Sequence, residues 1–235
     1  MGIKVQSDIF TIIALTILLV IVMMIITNKL KKAEPLEKPK GIILPALIGI
    51  EKLYGSVKEN VGEKNAQVFT PYIIILSVYI FLSNILSLFG VSSPTANWSV
   101  TLTLAIISWT ITQLASFKYS GVKNWFKSFL DPIPVLLPIN ILGKFTIIIS
   151  MSLRLFGNIL CGSIIMSLIY AGAQGLSNII GRLCGAGGSI FNFLGPVIAP
   201  LFHAYFDIFA GFIQTLVFVT LTLVFVGVEV PDDLK

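Results

Sequence analysis

Long uncharged apolar runs dominate this sequence. Residues 9–27 carry no charged side chain, and none stands between Lys64 and Lys118. Arg154 is alone between Lys144 and Arg182, and Asp207 is the single acid between Arg182 and Glu229. A helix needs about 20 apolar residues to cross a hydrocarbon core of roughly 30 Å, so runs of this kind belong in a bilayer. Composition agrees. Of 235 residues 56% are hydrophobic and 11% charged, with mean hydropathy +0.95, whereas soluble domains carry about 25% charge. The expected fold class is an all-α polytopic membrane protein with about five transmembrane helices and one amphipathic inner-surface helix.

The runs fall at about Ile9 to Thr27, Phe69 to Gly90, Val100 to Phe117, Leu136 to Tyr170 and Ile190 to Val228. The first is longer than the 7–15 apolar residues of a signal-peptide core and lacks a small-x-small cleavage site before NKLKK, so a retained helix is expected. Lys29, Lys31, Lys32, Lys38 and Lys40 follow it, which by the positive-inside rule places the amino terminus outside. Gly41 to Asn65 joins an apolar half to alternating lysines and glutamates and reads as amphipathic, lying on the inner surface. A solvated linker helix is an equal reading for its second half. GVSSPTANW marks a short outer loop, and Lys118, Lys123 and Lys127, with Trp125 as an interfacial anchor, mark the return inside. The last two runs exceed a perpendicular span. They are expected as a long hairpin that is tilted, broken at Pro196 and Pro200 in the second run, or partly interfacial, with an outer turn over AGAQGLSNIIGRLCGAGG. The polar end VEVPDDLK lies inside. Residues 1–65 are expected to form an amino-terminal unit and 66–235 a helical membrane domain.

The net charge of +5 does not point to nucleic acid, because the lysines flank apolar runs and suit an anionic inner leaflet. Cys161 and Cys184 lack metal-ligand spacing, and one histidine leaves too few ligands for a zinc site. No cofactor or metal is expected.

Function turns on Arg154. A central arginine costs about 2.5–3.5 kcal/mol on insertion scales, so the membrane contains one only where its charge is used. If the hairpin apex lies near residue 184, residues whose numbers sum to about 368 share a depth: Arg154 meets Gln214, and Asp207 lies opposite Cys161, Gly162 and Ser163. His203, Asp207, Gly211 and Gln214 repeat at four, four and three on one helical face, and Arg154 and Asn158 at four on another. Two polar faces then look at each other, or at a shared aqueous space. The bland alternative is a static Arg154–Asp207 salt bridge, set against an offset of roughly 10 Å in depth. A partner for Arg154 on another chain fits better.

These residues carry a resemblance. SLRLFGN at 152–158 looks like the signature of subunit a of F-type ATP synthases, and HAYFDIFAGFIQTLVFVTLTLVF at 203–225 resembles the last helix of that family. NWSVTLTLAII and PVLLPINILGKF resemble two further blocks more loosely, so the likeness covers roughly residues 66–228. The resemblance implies a non-catalytic stator subunit of a bacterial cell membrane, beside a rotating c-ring and held by peripheral-stalk b subunits. Two offset half-channels would pass protons or sodium ions between the bilayer faces and the ring. Arg154 falls on the family's arginine, Asn158 on its amide neighbour and Gln214 on the glutamine paired with it in depth. Asp207 and Ser163 fall on positions where relatives carry an acid or a histidine. Serine cannot titrate there, so Asp207, with His203, would act alone. Lys144 stands where many relatives carry an acid, so no inner-channel carboxylate is assigned. A rotor-independent transporter using the same Arg154 and Asp207 is the rival reading, although no internal repeat supports it.

Overall fold

The computed structural model describes residues 7–32, 43–131, 133–183 and 194–231. Every regular element among these is helical. They are α1 (Ser7–Lys32), α2 (Ile43–Val61), α3 (Glu63–Ile85), α4 (Trp98–Tyr119), α5 (Gly121–Leu130), α6 (Leu137–Leu183), α7 (Gly195–His203) and α8 (Gly211–Glu229), with a π-helical segment over Ala204–Ala210 joining the last two. Five segments among the described residues are long and apolar enough to cross a membrane: Ile9–Asn28, Glu63–Phe89, Trp98–Tyr119, Pro134–Leu183 and Gly195–Glu229. The five expected spans are therefore present. The lysines at 38 and 40, the expected apex near 184 with Cys184, and residues 232–235 lie outside the described residues.

The centre of the bundle is α8. One apolar cluster joins Val57 and Val61 of α2, Ile73 of α3 and Ala115 of α4 to Val219, Leu223 and Val226 of α8. A second joins Leu76 and Ile80 of α3 and Ala105 of α4 to Met151 and Leu155 of α6 around Phe218. The carboxyl-terminal half of α2 thus packs on protein, while Leu44, Leu47 and Ile48 of its first half stay exposed. Two glycines permit the approach. A Cβ on Gly227 would stand 2.6 Å from the Asn60 carbonyl oxygen, and one on Gly211 would stand 2.9 Å from Asn84 Cβ. By contrast α1 is peripheral, turning Ile13, Ile17 and Met24 outward and only Leu15 and Leu19 inward. Hydroxyl pairs tie helices where lipid gives no hydrophobic drive between them: Tyr72 to Ser108 at 2.7 Å and Thr101 to Ser152 at 3.2 Å.

Three features depart from expectation. First, α6 does not turn at residue 171 but continues through Gly172 and Gly175 to Leu183, 47 residues in all. Glycine costs about 1 kcal/mol in a helix, but here Gln174 Nε2 donates to Asn178 Oδ1 at 3.1 Å, one turn on, and Leu176, Ile179, Ile180 and Leu183 keep a helical spacing. At 1.5 Å per residue α6 is about 70 Å long, so it fits a 30 Å apolar layer only inclined or with its ends beyond it. Second, Pro196 and Pro200 do not break the last segment. Pro196 occupies the first turn of α7, where no amide hydrogen is needed, and the irregularity sits downstream as the π-helical segment. Third, residues 121–130 form a helix of their own, α5. Gly121 (φ +78°) takes the left-handed turn out of α4, and Val122, Trp125, Phe126 and Phe129 share one face. The far end is closed by Asn140 Nδ2, which donates to the carbonyls of Phe129 and Asp131, both at 2.9 Å.

Candidate functional site

The π-helical segment carries the site's carboxylate. Such a segment takes five residues per hydrogen-bonded turn and is frequent where a side chain must be re-aimed. Here Asp207 Oδ2 accepts from His203 Nδ1 at 2.6 Å, and Asp207 Oδ1 lies 3.0 Å from Ser87 Oγ at the end of α3. A carboxylate only accepts, so Nδ1 bears the hydrogen of that bond. In the neutral ring this leaves Nε2 to accept from the Tyr170 hydroxyl of α6, 3.1 Å away. The row Tyr170–His203–Asp207–Ser87 joins α6, α7, the π-helical segment and the end of α3. The His203 and Asp207 side chains are 28% and 14% exposed, which places them on a wall.

That wall bounds a cavity of about 430 Å³ lined by Asn158, Gly162, Ser163, Tyr170, His203 and Asp207 among others. Gly162 lies against Phe206, the depth register expected for the hairpin. Ser163 reaches the cavity but gives its hydroxyl hydrogen to the Leu160 carbonyl at 2.8 Å. Asn84 holds the wall from behind, donating from Nδ2 to the Gly211 carbonyl at 3.1 Å and accepting from Thr95 Oγ1 at 3.3 Å.

A second cavity, about 310 Å³, lies against the amino-terminal part of α6. Its polar lining is Ser108, Thr112 and Gln113 of α4, Lys144 of α6, and Thr222 and Glu229 of α8. The two cavities draw on successive turns of α6: Lys144, Ile147 and Met151 line one, and Asn158, Ile159 and Gly162 the other. Arg154 falls between them. It is exposed, and its guanidinium has no hydrogen bond or ion pair among the described residues, whose only two ion pairs are Lys58–Glu63 and His203–Asp207. The static Arg154–Asp207 bridge is therefore absent, because Asp207 is engaged by His203 and Ser87.

Gln214 is 8% exposed, and its Nε2 has no partner; the buried Nδ2 of Asn158 has none either. Each unpaired amide costs about 1–3 kcal/mol, and Asn158 is also a lining residue of the larger cavity. No hydrogen bond joins Arg154 to Gln214, although the two were expected at one depth. Nor do the four residues from His203 to Gln214 share one surface. Beyond the π-helical segment Gly211 and Gln214 are buried, while His203 and Asp207 face the cavity.

A family model described as ATP synthase A chain matches residues 9–227. The chain belongs to that family. Among its relatives, the ATP synthase subunit a of Mycoplasmoides gallisepticum is 35% identical over 208 residues, spanning 84% of this chain and 69% of the relative. That of Oceanobacillus iheyensis is 34% identical over 83% of this chain and 80% of its own length. A sodium ion specific subunit a of Propionigenium modestum is 30% identical over 94% and 74%. As a member of the ATP synthase A chain family with five membrane-capable segments, the chain is a multi-pass membrane protein and a membrane-sector subunit.

Ser87, Tyr170 and Glu229 were not singled out from sequence. Tyr170 sits two turns beyond Ser163 on the same helix, which is the one local signal for it. Nothing local marks Ser87, because its place depends on how α3 meets α8. Glu229 is legible only as the acid that closes the last apolar run.

Proposed function

We propose that this chain is the membrane-embedded stator subunit of an F-type ATP synthase, passing protons or sodium ions to and from a ring of c subunits. The observation that carries it is Arg154, without a partner among the described residues and set between two cavities that line successive stretches of α6. In this reading the cavities are half-channels and Arg154 divides them. A ring carboxylate must be neutral to move through lipid. Facing Arg154 at about 4 Å in an effective dielectric near 20, its ionised form gains about 4 kcal/mol, so it releases its ion there. Each charge crossing 100 mV contributes about 2.3 kcal/mol, and two offset half-channels turn that energy into rotation.

Asp207 and His203 receive ions from the outer face, and Ser163 lines their path. The subunit performs no bond-making chemistry itself and needs no cofactor. It sits in a bacterial plasma membrane with its amino terminus outside and its carboxyl terminus inside, and peripheral-stalk b subunits hold it still. Arg154→Ala, assembled in the complex and reconstituted in vesicles, is expected to abolish ATP-driven ion uptake with normal subunit content. Normal uptake in that variant overturns the reading.

A further inference from the structure

The second cavity holds a carboxylate to which nothing above gives a role. We infer that Glu229 is the ion-accepting group of this cavity, taking a monovalent cation from its interior and passing it to the lysine-rich face. The inference rests on the stator reading and adds to it the acid missing from position 144.

Three observations support it. The Glu229 side chain is half-buried and has no hydrogen bond or ion pair among the described residues. Its backbone is held, because its carbonyl accepts from Ser120 Oγ at 3.3 Å, so the side chain is presented from a fixed point at the end of α8. The cation that shares the cavity with it, Lys144, is drawn to α5. Its Nζ lies 4.3 Å from the Phe129 ring centre, 5.5 Å from that of Trp125 and 3.2 Å from Ser128 Oγ. Trp125 is fixed in turn by donating from Nε1 to Gln113 Oε1 at 2.8 Å. Helix α5 thus works as a clasp: cation–π attraction to two rings keeps the ammonium away from the carboxylate.

An acid left unneutralised at a low-dielectric opening concentrates cations there. Behind it Ser108, Thr112 and Gln113, each under 10% exposed, put polar oxygens along the α4 wall. In the proton case a ring carboxyl gives up its proton, the Glu229 carboxylate binds it, and the same proton leaves to bulk water. In the sodium case the carboxylate holds the ion between two hydration shells. Neither case consumes or creates charge. The spacing along the last span also fits, since Asp207 of the π-helical segment and Glu229 of α8 are 22 residues apart, about 33 Å of helix. Each cavity receives one acid, at opposite ends of a single span.

The test uses the assembled complex in vesicles, reading ATP-driven uptake with a pH dye and with radioactive sodium. Glu229→Gln is expected to lower uptake at least tenfold and Glu229→Asp to retain most of it. The double variant Lys144→Glu/Glu229→Gln, which supplies the acid from the other wall, is expected to recover at least half. To separate function from assembly, Glu229→Cys in a Cys161→Ser/Cys184→Ser background is modified after assembly. A sulfonate-bearing thiol reagent is expected to raise uptake and an ammonium-bearing one to abolish it. Unchanged uptake in Glu229→Gln, or equal responses to the two reagents, overturns the assignment. If Arg154→Ala is inactive while Glu229→Gln pumps normally, only this inference fails; if Arg154→Ala pumps normally, the stator reading fails with it.

Discussion

His203 Nδ1 stands 2.6 Å from Asp207 Oδ2, the shortest side-chain contact on the wall of the larger cavity. The two are four residues apart, yet the π-helical segment begins between them, at Ala204. The pair keeps its i,i+4 contact while the chain beyond it rotates, sending Gly211 and Gln214 into the bundle. A carboxylate so held is fixed in direction, with one oxygen on a ring nitrogen and the other on the Ser87 hydroxyl.

Asp207→Asn removes the charge and keeps the shape. The amide still reaches His203 and Ser87, so complex content is expected to stay near wild type. Ion uptake driven from the outer face is expected to fall by about tenfold or more, the scale of losing one charged partner. Comparing flux with subunit content in the same membranes checks this, and unchanged flux would return Asp207 to a purely structural part.

Tyr170→Phe deletes the hydroxyl on His203 Nε2 and leaves the imidazole bonded to Asp207. Ion uptake is expected to fall severalfold with complex content unchanged, because the ring loses the contact that ties it to α6. His203→Gln, which also replaces the ring nitrogen on Asp207, is expected to lower uptake further. Uptake equal in all three proteins would separate this row from transport.

The sequence made the five spans legible because charge and turn residues sort strictly with apolar runs. It could not give the length of α6: Gly172, Gly175 and Ser177 read as a turn, and their helical state depends on Gln174–Asn178 and on packing. Helix α5 escaped notice although Val122, Trp125, Phe126 and Phe129 repeat at helical spacing, because its lysines and Trp125 were read only as markers of the inner interface. In the site, Asp207, His203 and Ser163 were found as rare polar residues in apolar sequence. Ser87 and Asn84 were not, because serine and asparagine near a loop signal nothing until α3 is placed on α8.

Gly227→Ala is expected to destabilise the bundle more than Gly211→Ala. At Gly227 the new methyl meets a backbone carbonyl, that of Asn60, at 2.6 Å, and helices must separate; at Gly211 it meets the Asn84 side chain at 2.9 Å. Overpacking of this kind costs about 1–3 kcal/mol. Thermal unfolding of the detergent-solubilised complex reads the order. The Gly211 variant is also expected to weaken uptake, since Asn84 donates to the Gly211 carbonyl and its own carbonyl accepts from Ser87.

Arg154→Lys keeps a positive charge and tests whether charge alone suffices. Lysine offers a compact, strongly hydrated ammonium that can lose its proton when desolvated, with an ordinary pKa of about 10.4, whereas arginine stays charged and holds five donors in a planar fork. The position lies between two cavities and has no acid to hold it among the described residues. A lysine there is expected to lose coupled ATP synthesis and to let protons cross when the ring is blocked, because a deprotonating group joins the two cavities. The check is passive proton flux through assembled complexes with and without a ring-blocking carbodiimide. Wild-type coupling in the lysine variant would show that a point charge is enough, and would remove the fork from the argument.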